Sequence, residues 1–267
     1  MNPKITLLLL LCCFTCALTN AQGKLNKAKE ELSSGSSSSS SSSSDSSNSS
    51  NSWDDDENNH FEQILNDIID QIVFGILFGD MEQKYFYDYP YANGSHGEYA
   101  LPEENASLKS MKLMLSNTFF ASGKEFYGND VKLNFRFMRL LGVEVNHLHF
   151  FEKIPKSELG INSLMLNYYR VREKMVTAFW GVGVSHVIHG VDKIGFTYQV
   201  GIDVYLKKPF SLSTLWKQSF INNSSVNEFK LHARYHLNRF SVHGGFNRYK
   251  LGSVEINSMG IGFDYRF

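Results

Sequence analysis

The residues best suited to chemistry in this chain are histidines and their neighbours. His147 and His149 stand two positions apart, and Ser185, His186, His189 and Asp192 fall in one short stretch. Neutral imidazoles beside a carboxylate are metal ligands. A serine, an imidazole and a carboxylate are the parts of a nucleophilic hydrolase acting on lipid or peptide. Geometry rather than composition makes such a group work, and no enzyme motif surrounds these residues. Histidine also suits the wet-dry boundary of a barrel rim as an amphipathic side chain. The expectation is therefore a non-enzymatic protein with no cofactor and no assigned metal ligand, and the six residues stand only as candidates that a fold must bring together.

What would position them is a rhythm of two. Val131, Leu133, Phe135 and Phe137 alternate with Lys132, Asn134 and Arg136. Phe229, Leu231, Ala233, Tyr235 and Leu237 alternate with Lys230, His232, Arg234 and His236. Residues 194–206 repeat the pattern. Strict alternation over this many positions means strands with one apolar and one polar face. Ten such runs occur, at 109–120, 130–139, 141–151, 161–172, 174–186, 193–207, 209–221, 226–238, 239–250 and 252–267. They exceed the five or six residues or so of a usual strand and match the roughly 9–11 that cross a bilayer when tilted. Connections near Leu140, Glu173, Lys208 and Arg239 are very tight. They alternate with looser ones at 121–129, 152–160, 187–192, 222–225 and 250–252. That is the signature of an antiparallel up-and-down barrel with both ends on the short-turn side. Ten strands close consistently; eight is the alternative, if two runs fail to pair. The candidate histidines fall at the looser connections.

One face of the runs carries bulky aromatics such as Phe135, Phe137, Trp180, Phe196, Tyr198 and Tyr235. The other carries Gly181, Gly183, Gly195, Gly201, Gly260 and Gly262 beside full charges. Lys132, Arg136, Glu144, Asp203, Lys230, Arg234, Asp264 and Arg266, together with His232, would form a charge and hydrogen-bond network across a narrow lumen; His236 and His243 share that face. The reverse arrangement, with aromatics inside, would give a secreted soluble barrel that binds an apolar ligand. The direction in which Phe135 and Phe196 point decides between them. A wide pore needs about 16 strands, so ten imply a narrow or plugged channel.

The chain ends Ser258-Met259-Gly260-Ile261-Gly262-Phe263-Asp264-Tyr265-Arg266-Phe267. This resembles the closing strand of Gram-negative outer-membrane β-barrel proteins. Ser258, Gly260, Phe263, Tyr265 and Phe267 match by position the polar residue, glycine and alternating aromatics of that family's closing strand. The resemblance implies an outer-membrane location, contact with outer-membrane lipid, and recognition of those five residues by the barrel-assembly machinery. It names no subfamily and no activity.

The rest of the sequence is different in kind. The whole chain has 267 residues and a net charge of -1, but residues 22–106 carry 4 basic and 16 acidic groups and residues 107–267 carry 21 and 11. The near-neutral total conceals an acidic extension and a basic barrel of opposite sign, which would attract each other. No overall positive field favours nucleic acid as a partner. Residues 1–21, with Lys4, an apolar run and a small-residue end at Ala21, read as a secretory signal. Cys12, Cys13 and Cys16 all lie inside it, so the mature chain would have no thiol chemistry. The flanks Leu10-Leu11 and Phe14-Thr15 argue against lipidation. Residues 22–59, dominated by serine from Ser33 to Ser52, are expected to be a disordered Ser/Asp-rich tether. Residues 60–80 carry an amphipathic helical stripe from Phe61 to Leu77, a surface for docking on the barrel or on a periplasmic protein partner. Residues 81–107 form an aromatic-rich linker, and the barrel occupies 108–267. The expected role is a small membrane anchor or scaffold with a periplasmic acidic extension.

Overall fold

A computed structural model describes residues 23–34, 85–92, 97–100 and 109–267. The expected signal segment 1–21, most of the serine run and the stripe at 60–80 lie outside the described residues.

The ten alternating runs are ten strands of one closed antiparallel barrel. They are β3 (Lys112–Ser122), β4 (Phe126–Arg136), β5 (Leu141–Glu152), β6 (Ser157–Arg172), β7 (Val176–Ile188), β8 (Lys193–Lys207), β9 (Phe210–Ile221), β10 (Ser224–Leu237), β11 (Phe240–Leu251) and β12 (Val254–Arg266). Each pairs with its sequence neighbours. The last strand closes the ring on the first, in the register Met259 opposite Ala121 to Arg266 opposite Met114. All ten runs pair, so the eight-strand alternative falls. The shortest strands have 11 residues. At about 3.4 Å per residue and a tilt of about 40°, such a strand rises about 28 Å, enough for an apolar band of about 25 Å.

The difference expected between tight and loose connections is absent. Strands run further into the looser stretches than alternation alone suggested, leaving turns of two to four residues at both ends. Asn222 and Asn223 illustrate the reason. Both adopt the left-handed conformation, φ 49° and 64°, which lets a two-residue turn join β9 to β10 with the twist the sheet requires. One mouth holds the turns at 123–125, 153–156, 189–192, 222–223 and 252–253; it is called the far mouth. The other holds the remaining turns, the start of β3 and the chain end, and is called the terminal mouth.

The exterior is apolar around the whole ring. Phe135 and Phe196 are 39% and 54% exposed and point outward. The interior is polar through its middle and terminal half, where Lys217 and Glu144 are fully buried. Toward the far mouth the inward positions also become apolar, with Phe120, Phe126, Leu148, Phe150 and Ile161 buried together.

That inner apolar layer has an occupant. Lys24–Ser34 forms an α-helix, α1, in a stretch expected to be disordered. Leu25, Ala28 and Leu32 recur at three- and four-residue steps, and Lys, Glu and Ala fill the positions between. The three apolar side chains are fully buried against the far-mouth cluster. Gly35 and the serine run follow, residues that do not sustain a helix. A helix of 11 residues is marginal alone in water, so docking rather than propensity holds it.

The aromatic linker supplies a second closure. Tyr85–Phe86 (β1) and Tyr99–Ala100 (β2) form a two-stranded antiparallel pair. Phe86 also exchanges backbone hydrogen bonds with Lys109. This pair sits at the terminal mouth. The described parts of the extension therefore lie at opposite ends of the barrel, α1 at the far mouth and the β1–β2 pair at the terminal mouth.

Candidate functional site

The lumen is a packed ion-pair network. Near its middle, Lys230 Nζ lies 2.6 Å from Asp130 and 2.9 Å from Glu228. Asn146 donates to the same Asp130 and accepts from Lys217 at 3.3 Å. Glu144 accepts from Asn134 and Gln199, both at 3.4 Å. Lys132 faces the same space from β4. A second group lies closer to the terminal mouth. Arg234 contacts Asp203 at 2.7 Å and Asp264 at 3.2 Å, and Arg266 donates to Ser241, itself hydrogen-bonded to Asp264. His232 bonds Asn247 and stacks on His243, which bonds Thr118. Every member of the expected lumen network thus faces inward.

Asp130, Lys217 and Glu228 complete the network beyond the residues named from the sequence. They have the same inward phase as the residues singled out, and alternation alone would have found them. The glycines explain how large groups fit. At Gly201 a Cβ would overlap the Phe179 ring, which packs inward at 5.0 Å from Tyr169.

Both mouths are capped by charge as well as by shape. At the far mouth, the Glu152 carboxylate accepts the backbone N–H groups of Lys24 and Leu25 at 3.1 and 3.0 Å. These are orphan donors at a helix N-terminus, where negative charge is favoured. Asn222 donates to the carbonyls of Leu32 and Ser33 at the other end of α1, at 3.1 and 2.7 Å. Glu31 accepts from the Ser253 backbone, and Ser157 donates to Asn26.

At the terminal mouth, Glu98 forms buried ion pairs with Lys112 and Arg136. Burial alone would raise its carboxyl pKa, but the adjacent Arg136 and Lys112 charges outweigh this and hold it well below the usual carboxylate range. The Arg136 guanidinium also donates to the Tyr99 hydroxyl at 3.0 Å and lies over the Tyr169 ring, 3.8 Å from its centroid. Tyr91 reaches in to hydrogen-bond the Phe210 carbonyl. Asp88 pairs with Lys109 at 2.9 Å and Arg239 at 3.4 Å. Acid from the extension thus meets base from the barrel at this end.

The histidine candidates do converge, in part. His147 and His149 on β5, His186 on β7 and His189 in the next turn gather on the outer surface near the far mouth. His147 bonds Asn162 at 2.6 Å, and His186 bonds Asp192 at 2.8 Å. Ser185 does not join them. Adjacent strand residues face opposite ways, and Ser185 points into the lumen, where it bonds Ser163, Thr197 and Ser219. A His/Asp pair therefore exists at the rim, but the serine that would complete a triad is on the other side of the wall.

The closing strand orients its motif by the same rule. Ser258 is buried inside, Gly260 shares its inward phase, and Phe263, Tyr265 and Phe267 face outward. Tyr265 and Phe267 meet edge-on at 4.9 Å.

A closed barrel with an apolar exterior and a charged interior is a membrane barrel, because only lipid rewards that inversion. The chain is thus a transmembrane β-barrel by fold, and the soluble, apolar-lumen alternative is overturned by the outward Phe135 and Phe196. No family model matches the chain, and no curated protein matches it. Solved structures similar in architecture include outer-membrane barrels. An outer membrane channel from Pseudomonas putida F1 matches at TM-score 0.38 and 9% identity, over 63% of this chain and 100% of that one. OprG from Pseudomonas aeruginosa matches at 0.32 and 12%, over 59% and 96%. Ail from Yersinia pestis matches at 0.34 and 14%, over 58% and 99%.

Proposed function

We propose that this protein is a sealed, non-enzymatic outer-membrane barrel whose role is to anchor its own N-terminal extension at the membrane. The single observation that carries the reading is the closure of the described barrel from end to end. α1 fills one mouth, the β1–β2 pair covers the other, and ion pairs fill the space between. Among the described residues, this filling supports a barrel closed to solute. Among the described residues, the candidate Ser185 points into the lumen, away from the rim histidines, which supports a structural role.

An anchor needs something to hold. Residues 61–78, with their apolar stripe and intervening acids, are the segment of this chain offered to a protein partner. The terminal mouth, where the chain ends, faces the periplasm in this reading, and Phe263, Tyr265 and Phe267 with Ser258 and Gly260 are the residues presented to the assembly machinery.

The test is electrical. The full chain, refolded into planar lipid bilayers, is expected to give no steady ion conductance, and vesicles containing it should not swell in small sugars. Expressed in cells, the chain should fractionate with outer membranes and shift its gel mobility on heating. Steady single-channel currents from the full chain would overturn the sealed-anchor reading.

A further inference from the structure

We propose that the outer rim at the far mouth holds a divalent transition-metal ion of the zinc class, bound by His149, His189 and Glu158. The ligand atoms of these three side chains already lie within 4.8 Å of one another. They come from three separate places: β5, the start of β6 and the turn after β7. Nothing in their sequence spacing brings them together; the register of the sheet does, with His149 opposite Gly160 and Gly160 opposite Ile188.

Two features of the backbone place His189 there. The residue sits in the left-handed region at φ 65°, which folds the turn back over the strand end. Gly160 then makes room for it. A Cβ at that position would come within 3.0 Å of His189 Nδ1 and closer still to the Ile188 side chain. The two imidazoles face each other nearly parallel, with centroids 5.1 Å apart. Phe151 closes the other side of His149 at 4.1 Å.

The chemistry of the group matches the ion. His149 Nε2 is screened from solvent and makes no hydrogen bond; the nearest carboxylate oxygen, on Glu158, is 3.7 Å away. That separation is too long for a hydrogen bond, yet it leaves space for an ion between them. Two nitrogens and one oxygen suit zinc and its transition-metal neighbours, whereas magnesium and calcium require oxygen throughout. Ligand bonds of about 2.0–2.1 Å put tetrahedral ligand atoms about 3.3 Å apart, so side-chain rotation at the exposed His189 closes the site. Three protein ligands leave the fourth position for water. The ion would clip two hairpins of the far mouth together, β5–β6 and β7–β8. His186 takes no part, because Asp192 holds it.

The test uses the untagged full chain, folded in detergent and freed of metal. Zn2+ is titrated by calorimetry and by competition with a chromophoric chelator. One saturable site per chain is expected, together with a rise in unfolding temperature. His149→Ala, His189→Ala and Glu158→Gln should each weaken binding by about tenfold or more, as loss of groups at metal sites does. Mg2+ should not compete, and His186→Ala should bind as the parent does. Each variant's heat-dependent gel shift shows that it has folded. No saturable zinc site in the parent would overturn the proposal. So would loss on His186→Ala equal to that on His149→Ala.

Discussion

The Leu25 backbone N–H donates to Oε2 of Glu152 at 3.0 Å, across 127 positions of sequence. No acidic residue of α1 itself lies in its first turn. The barrel therefore supplies the negative charge that the helix start lacks, and it does so from the last residue of β5. This places the helix as well as stabilising it, since Asn222 performs the complementary task at the C-terminal end.

Glu152→Gln should weaken the cap while keeping side-chain shape. A helix cap contributes about 1 kcal/mol, and charge at an N-terminus adds up to about 1 more. Amide hydrogen exchange in α1 should quicken by about fivefold to thirtyfold, while the barrel amides keep their protection. Unchanged exchange in α1 would show that Glu152 does not hold the helix.

Leu32→Ala tests the other half of the docking. The side chain is fully buried against the far-mouth cluster, and Leu→Ala at such sites costs about 2–5 kcal/mol. The cost falls on the docked state of α1, because the barrel's own hydrogen bonds are untouched. Limited proteolysis should cut within 24–34 sooner, whereas the heat-shifted band of the barrel should survive. Barrel unfolding in parallel with helix release would mean that the two are one cooperative unit.

The barrel was legible in the sequence because a period of two is imposed by the backbone and by a solvent difference across the wall. Each of the ten runs shows it, and the phase that put Lys230 and Arg234 inside also put Phe229 and Tyr235 outside. The plug was not legible for two reasons. Leu25, Ala28 and Leu32 span only about two turns, beside a serine run that dominates composition. The inner apolar layer is also masked by its neighbours: at 146–152, Leu148 and Phe150 face in while His149 and Phe151 face out, so the alternation in polarity fades where both faces are apolar. The rim cluster was half legible. His149 and His189 stood out by type, but Glu158 belongs with them only through the register of β5 on β6.

Glu98 makes the terminal mouth sensitive to acid in a predictable direction. Its carboxyl is held below the ordinary glutamate value of 4.5 by Arg136 and Lys112, despite burial. A group whose folded pKa is depressed contributes its stabilisation above the unfolded value and loses it as pH falls toward the folded one. Contact of residues 85–92 and 97–100 with the barrel should therefore weaken progressively below about pH 4.5, and change little between pH 6 and 8. Glu98→Gln should remove that acid dependence. It should also destabilise this mouth at neutral pH by about 3–5 kcal/mol, because two buried cations lose their partner. The half-exposed Asp88 pairs should respond to salt, whereas the buried Glu98 pairs should not. Tryptophan or tyrosine fluorescence against pH, compared between parent and variant, reads both effects.

Val182→Lys tests the inversion of the wall itself. Val182 lies near the middle of β7 and points outward, 39% exposed, with Leu166 on one side and Tyr198 on the other. In water an exposed Val→Lys change would be nearly neutral, since surface substitutions usually stay within about 0.5 kcal/mol. Facing hydrocarbon, a lysine near the midplane costs about 2–4 kcal/mol. The variant should fold into lipid vesicles with its unfolding free energy lowered by that amount, read as a denaturant midpoint shifted to lower concentration by that energy divided by the m-value. Gly181, one residue earlier, faces the lumen against Asn167, so a Gly181→Ser control perturbs the interior rather than the lipid face. A Val182→Lys barrel as stable as the parent in vesicles would mean that this surface does not meet lipid, and the ring of exposed aromatics would need another cover.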